Sequence, residues 1–271
     1  MLLAFTAIPL CVSCANSQSE PTYEGHTLTY WLQENWYGGP EAVAALNAIG
    51  TNTLPFLIKG IKNPQDPLPS PPTEEWKKAH PTVGLALLIV KAFKALGDQA
   101  APLVPELTRL TQDPSPIVAD NALESLVLMG TNGFPAVFAA LHNPKHPYRG
   151  RAAALLGAAH FLGSNAEPAV VELVAALNDP ALDQAAAHAL GELKLRPDIV
   201  VPALARCLEK TNSDPNLRAI AAISLIWFEE KSAPALPYLT NALNDPDPDV
   251  RKQAAGSIQS IHFDILRAQA R

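Results

Sequence analysis

The sequence lacks most of the features on which catalytic and nucleic-acid-binding proteins depend. It has three cysteines in 271 residues, and N-terminal processing would leave Cys207 as the sole internal thiol, so no disulfide framework is expected. No Lys or Arg precedes Lys59, which excludes a basic N-terminal arm. A net charge of −6 argues against sequence-independent binding of nucleic acid. No glycine-rich phosphate loop or nucleophile elbow occurs, so no cofactor or catalytic residue is predicted.

Long hydrophobic runs are also missing, apart from a short one at the N-terminus. Leu2 to Val12 is apolar, too short to span a bilayer, and the length of a signal-peptide core. Small residues at Ser13 and Ala15 predict a signal peptide over residues 1–15. Alternatively, these residues form a lipoprotein signal in which Cys14 is the lipidated residue. A third interpretation is that they form a buried N-terminal helix of a cytosolic protein. We expect an exported protein, in the periplasm or cell envelope, with any membrane contact made through a lipid anchor.

Proline, by contrast, is abundant, with 26 residues, and it recurs at regular intervals. Asn-Pro or Asp-Pro pairs begin at residues 63, 113, 143, 179, 214 and 245. Nine residues before most of the pair prolines stands another proline, at 55, 105, 135 and 237. Val171 takes that place in the fourth unit, and Pro202 takes it in the fifth, where about four extra residues precede Asp214. Since proline is tolerated in the first turn of a helix, each of these positions predicts the start of a helix that ends at the following pair.

Apolar side chains follow these helix starts at fixed offsets. Offset two carries Leu or Val in every unit, and offsets five and six are mostly apolar or small, which is one stripe of an α-helix. After each pair comes an alanine-rich helical segment, predicted over 118–129, 149–161, 182–193, 217–228 and 250–261. Paired alanines at 152–153, 185–186, 221–222 and 254–255 allow close helix contact. No segment has the alternation of a half-buried strand.

These segments carry a family resemblance. Residues 245–258 (DPDPDVRKQAAGSI) resemble a HEAT repeat of the short bacterial, phycobilisome-lyase-like type, and Leu217-Arg218 with Ala221-Ala222 repeats the pattern. Arg149 belongs to a looser copy, and Asp183 replaces the arginine in the fifth unit. The resemblance covers residues 41–271 and implies an all-α fold, an α-solenoid of about seven stacked antiparallel helix pairs. Residues 16–40 are predicted to form a polar tether and a capping helix that uses Tyr30, Trp31 and Trp36.

One row of polar residues is the candidate binding site. If offsets two, five and six face the core, offsets four and seven point outward from each second helix, and the resemblance implies that second helices line the concave face. We define the second-helix ladder as the ten polar residues predicted to bind a partner at these offsets: Lys59, Lys62, Arg109, Gln112, His142, Asn178, Arg206, Glu209, Asn241 and Asn244. Ordinary solvation of an exposed helix face explains the same pattern.

Other motifs are better explained by structure than by chemistry. Asp245, Asp247 and Asp249 alternate like the start of a calcium loop, but Val250 and Gly256 stand where glycine and glutamate are required, so helix capping is preferred. His142 and His146 have a zinc-like spacing that prolines interrupt, and no metal is predicted. The proline-rich insertion at 65–81 is either a passive spacer or a binding loop.

The sequence therefore predicts a non-catalytic, monomeric scaffold that binds another protein or a peptide along the concave face. Two alternatives use the same repeats: a bilin-lyase-like enzyme, since the resembling repeats also occur in proteins that attach bilins to cysteines, and a chaperone-like factor. Binding of nucleic acid by a HEAT-like solenoid is a further alternative, and the acidic charge opposes it.

Overall fold

The computed structural model describes residues 19–35, 39–64, 85–210 and 214–270, with residues 85–87 described by their backbone alone. Several predictions lie outside these ranges: the signal peptide at 1–15, lipidation of Cys14, the capping role of Trp36 and the insertion at 65–81. Among the described residues, no helix combines the length and the apolar character that crossing a membrane requires.

A small N-terminal hairpin and a short helix precede the repeats. Strands β1 (Thr22–Tyr23) and β2 (His26–Thr27) pair antiparallel around Glu24 and Gly25, which both have positive φ, as tight hairpin turns require. Helix α1 (Leu28–Glu34) follows and contacts the first repeat helices. Trp31 is buried and donates its ring N–H to the Tyr23 carbonyl over 3.2 Å, whereas Tyr30 is 38% exposed and stacks on His26.

Helix pairs then follow one another along the chain. First helices are α2 (Pro40–Ile49), α4 (Leu85–Leu96), α6 (Pro116–Leu128), α8 (Arg149–Leu156), α10 (Asp183–Leu193), α12 (Pro215–Ile226) and α14 (Pro248–Gln269). Second helices are α3 (Leu54–Lys62), α5 (Val104–Leu110), α7 (Phe134–His142), α9 (Glu167–Ala176), α11 (Pro197–Leu208) and α13 (Leu236–Ala242). The all-α repeat fold is confirmed: the described residues form six pairs and a seventh first helix.

Proline marks the start of the second helices, with two corrections. Pro55, Pro105, Pro135 and Pro237 lie in the first turns of their helices, as predicted. The predicted starts at Val171 and Pro202 are wrong, because α9 begins at Glu167 and α11 at Pro197. Other prolines, Pro168 and Pro197, occupy those first turns, and Pro202 lies inside α11 on its exposed side.

The predicted core stripe of the second helices is buried. Every offset-two residue is buried, namely Leu57, Leu107, Val137, Leu173, Leu204 and Leu239. The offset-five and offset-six residues are buried as well, with one exception, Leu243, which is 39% exposed. Leu243 directly follows α13, the last described second helix, so no described second helix of a following unit covers it.

The first helices pack against one another along the stack, and small residues permit the contact. Ala152, Ala186, Ala221 and Ala254 are fully buried. A Cβ added to Gly191 in α10 would lie only 3.0 Å from the Cβ of Ser224 in α12, so the backbones of the two helices approach closely at this point. The first helices α10, α12 and α14 therefore form a closely packed layer.

Residues with positive φ follow most first helices, and in each of these units except the fifth a short 3-10 segment begins there or directly after. Gly50, Gly97 and Gly130 take this position with positive φ, and Lys194 and Glu229 take it in the fifth and sixth units. The fourth unit differs, because α8 ends at Leu156 and not at the predicted residue 161, and a 3-10 segment runs from Gly157 to Ala166. The last helix also differs from its prediction, running on to Gln269.

A seam of polar contacts joins the turns of successive units. Arg149 donates to the Leu141 carbonyl over 2.8 Å and to the Asp179 carboxylate over 2.6 Å. Arg218 makes a bidentate bond of 2.7 and 2.9 Å to Asp245, with both side chains at most 3% exposed. The fifth unit has Asp183 in place of the arginine, and a carboxylate cannot donate to the neighbouring turn. In this unit Lys210 instead donates to the Leu177 carbonyl over 3.1 Å. The units from the third to the last described one are thus joined by polar contacts at their turns.

Candidate functional site

All ten residues of the second-helix ladder are exposed. Their exposure follows from the burial of offsets two, five and six, since offsets four and seven then lie on the opposite side of a helix with 3.6 residues per turn. The side chains stand on α3, α5, α7, α9, α11 and α13 or in the turns that end these helices. The ladder is therefore a continuous feature of the second-helix side of the stack, and its role in binding remains a prediction.

Most ladder residues of the first two units are cations. Lys62 on α3 and Arg109 on α5 both bind the carboxylate of Glu106, with Lys62 Nζ and Arg109 Nη2 at 2.6 and 2.9 Å from Oε1. These two cations hold the pKa of Glu106 at about 2, chiefly through the hydrogen bond from Arg109. Lys59 is exposed, and within the described residues no carboxylate lies at salt-bridge distance from it. These three cations and Glu106 give α3 and α5 a net charge of +2, and the carboxylate of Asp113, just beyond α5, also acts on Arg109.

The middle of the ladder is a shallow cleft. Ala139 and Ala175 occupy offset four in the third and fourth units, where the other units carry longer side chains. His142 Nε2 lies 2.6 Å from Glu172 Oε2 across α7 and α9. The adjoining cleft has a volume of about 150 Å³, and its lining includes Leu141, Arg149, Asp179 and Leu182. The ladder residues of the fifth and sixth units, Arg206, Glu209, Asn241 and Asn244, make no ion pair with any residue that the structure describes.

His146 and the thiol of Cys207 occupy structural positions. His146 is 6% exposed, and its Nε2 lies 3.1 Å from Thr111 Oγ1 while Nδ1 accepts the Tyr148 backbone N–H over 3.2 Å. Burial lowers the pKa of His146 and raises that of Cys207, so the neutral forms are favoured. Across the described ranges, no group of three or more His, Cys, Asp or Glu side chains is arranged to hold a metal ion.

Capping explains the aspartates that resemble a calcium loop. Asp247 is the N-cap of α14, where its Oδ1 accepts the N–H groups of Asp249 and Val250 over 2.9 and 3.1 Å. Asp245 is occupied by Arg218, which lowers the pKa of its carboxyl group. Two of the three carboxylates are therefore engaged in turn and ion-pair contacts.

An apolar patch on the first-helix side was not predicted. Ile223 and Trp227 of α12 are 38% and 48% exposed, and Lys194 Nζ lies 4.4 Å above the Trp227 ring. A cleft of about 200 Å³ beside Trp227 is bordered by Pro197 and Glu229. The four-residue spacing of Ile223 and Trp227 on one helix face could have indicated this patch.

Comparison with known proteins identifies one part of the chain. Residues 201–262, from α11 into α14, match the family model for HEAT repeats. This part of the chain is similar to HEAT repeats. The match spans 62 of the 271 residues, and it includes the Arg218–Asp245 pair of the seam. The match thus supports HEAT-like repeats for residues 201–262.

Other comparisons add little. The chain resembles the crystal structure of an engineered protein from the Northeast Structural Genomics Consortium at 17% identity and a TM-score of 0.43, covering 88% of this chain and 97% of that one. No curated protein matches the sequence.

Proposed function

We propose that the protein is a non-catalytic scaffold that binds another protein or a peptide along the second-helix ladder. The observation that carries this proposal is the row of ten exposed polar residues on consecutive second helices. A regular row of this kind offers a partner a contact at every unit, and extended surfaces of stacked repeats are used in this way.

The similarity to HEAT repeats supports binding as the mode of action. HEAT repeats generally act as scaffolds for protein interaction, and repeat stacks of this kind typically act without catalysis. The residue pattern of the short phycobilisome-lyase-like subtype motivates bilin attachment as the alternative, together with a chaperone-like role. No feature of the described residues favours either alternative over scaffolding.

We also propose that the chain is exported to the periplasm or cell envelope as a monomer, with Cys14 as the site of any lipid anchor. This proposal rests on the apolar run at residues 2–12 and the small residues that follow it. Mass spectrometry of the N-terminus in the native host tests it. A mature chain that starts at Asn16 indicates soluble export, one that starts at an acylated Cys14 indicates anchoring, and an unprocessed Met1 contradicts export.

Site-specific photo-crosslinking tests the binding face. The crosslinking residue p-benzoylphenylalanine is placed singly at ladder positions Gln112, Asn178 and Asn241, and as matched controls at the first-helix positions Gln184 and His188. We expect the same partner to crosslink from the ladder positions only. Crosslinks confined to the first-helix positions would contradict the proposed face.

A further inference from the structure

The first unit has a cleft on the side of the ladder. The cleft lies where the N-terminal segment passes the start of α3 and has a volume of about 330 Å³. It is lined by Ser19, Pro21, Thr51, Asn52, Pro55 and Phe56. Its wall is mixed, since the prolines and the half-buried Phe56 ring are apolar while the hydroxyl and amide groups can form hydrogen bonds. A cleft of this size and composition accepts one bulky side chain of a peptide.

A row of cations begins at this cleft. Pro55, Lys59 and Lys62 are spaced by four and three residues on α3, so they share one face of the helix over about 10 Å. Arg109 continues the row on α5, where Glu106 joins it to Lys62. The two helices therefore carry a net charge of +2 on a chain whose net charge is −6.

We infer that this cleft and its cation row form the docking site for an acidic peptide segment that carries one bulky apolar residue. The apolar side chain fills the cleft beside Phe56, and the flanking carboxylates face Lys59, Lys62 and Arg109. This inference rests on the proposed function and specifies the partner for the first two units. Complementary charge selects the partner because a basic segment would meet three cations and a neutral one would gain nothing from them.

Three cations are too few to make phosphate binding the better explanation. Affinity for nucleic acid grows with the number of phosphates neutralised, and the rest of this acidic chain repels a long polyanion. A short peptide contacts only the local row, so the long-range charge of the chain matters less to it at physiological ionic strength.

Fluorescence anisotropy with labelled peptides tests the site on the full-length protein. The probe is a nine-residue peptide of Asp and Glu with a central Phe, compared with its Asn/Gln counterpart, a version with Ala for Phe, and a single-stranded oligonucleotide of the same length. The test variant is Lys59→Glu/Lys62→Glu. The matched control is Lys145→Glu/Lys252→Glu, which changes the net charge equally at exposed lysines in the 143–148 turn and on α14.

We expect the acidic peptide to bind at least tenfold more tightly than the Asn/Gln peptide, the Ala version and the oligonucleotide. The test variant loses at least tenfold in affinity, while the control changes by less than twofold. Equal losses in both variants, or equal affinity for the comparison ligands, would overturn the inference. If the ladder crosslinks to a partner but the acidic peptide does not bind, this inference fails alone; if the ladder gives no crosslinks either, the proposed function fails as well.

Discussion

Among the contacts between units, the Arg218–Asp245 ion pair is the one whose loss we expect to lower the free energy of unfolding most. The pair links α12 to the turn before α14, and both side chains are almost wholly buried. Asp245→Asn retains an oxygen that can accept the Asp247 N–H, which Asp245 binds over 2.9 Å, so the change removes mainly the charge. The guanidinium then stays buried without its counterion, at a cost of about 3–5 kcal/mol in the free energy of unfolding.

The equivalent contact in an earlier unit is a matched comparison. Arg149 and Asp179 also form a 2.6 Å ion pair, but their side chains are 17% and 35% exposed. Water screens and solvates these charges, so Asp179→Asn should lower the free energy of unfolding much less than Asp245→Asn does. The double variant Arg218→Met/Asp245→Asn leaves no uncompensated charge, and we expect it to be more stable than Asp245→Asn alone by about 2 kcal/mol.

Urea unfolding followed by circular dichroism measures these differences. Hydrogen bonding from Arg218 lowers the pKa of Asp245, so the stabilising effect of the pair is complete above the unfolded-state pKa of about 3.9. It is lost as the pH falls through the lower folded-state pKa, so the gap between wild type and Asp245→Asn should shrink in acid. The reasoning would be refuted if Asp245→Asn and Asp179→Asn lowered the free energy of unfolding equally at pH 7. It would also be refuted if the double variant were no more stable than Asp245→Asn alone.

Further predictions concern helix contacts, turns and pH. Gly60→Ala places a Cβ that overlaps Cδ1 of Ile89, so thermal unfolding should show a loss of about 1–3 kcal/mol that Ile89→Val partly restores. Glu229→Gly should stabilise the chain by about 0.5–1 kcal/mol in urea titrations, because the exposed Glu229 has φ 53°, in the left-handed region that glycine adopts without strain. Burial lowers the pKa of His146, so the unfolded chain takes up its proton first and stability falls as the pH drops below about 6.5. The melting temperature of His146→Gln should therefore vary less between pH 7 and 5, and an unchanged profile would contradict that role. Asp247→Ala should lower stability by about 1 kcal/mol, because it removes the N-cap of α14. Its melting temperature is compared with that of Asp264→Ala, which changes an aspartate within the same helix that is not a cap.

The sequence was sufficient to predict the helix pairs because proline and apolar spacing act locally. Pro55 or Pro135 fixes a helix start through its own backbone, and the core offsets follow from the helical period. The starts of α9 and α11 were wrong because Val171 and Pro202 were aligned with these prolines by counting back from the next turn. The counted core positions are nevertheless buried, because α9 and α11 differ from the other second helices by extending further at their N-termini.

The contacts between units could not be predicted from local pattern. Whether Arg149 pairs with Asp179, or Lys62 shares Glu106 with Arg109, depends on the rotation between successive units, which no single segment encodes. The exposed Trp227 was missed for a similar reason, since its position in an apolar helix resembles that of core residues. Exposure of the ladder was predictable, because the side opposite a known core stripe must face outward.

Hydroxyl-radical footprinting of the protein with and without its crosslinked partner tests the central claim most directly. Reactive side chains report on both sides of the stack: Phe56, His142 and Tyr238 on the second helices, and His188, Ile223 and Trp227 on the first helices. Binding along the ladder predicts that the partner protects the second-helix reporters and leaves the first-helix reporters unchanged. Protection of Ile223 and Trp227, with the second-helix reporters unaffected, would contradict the account.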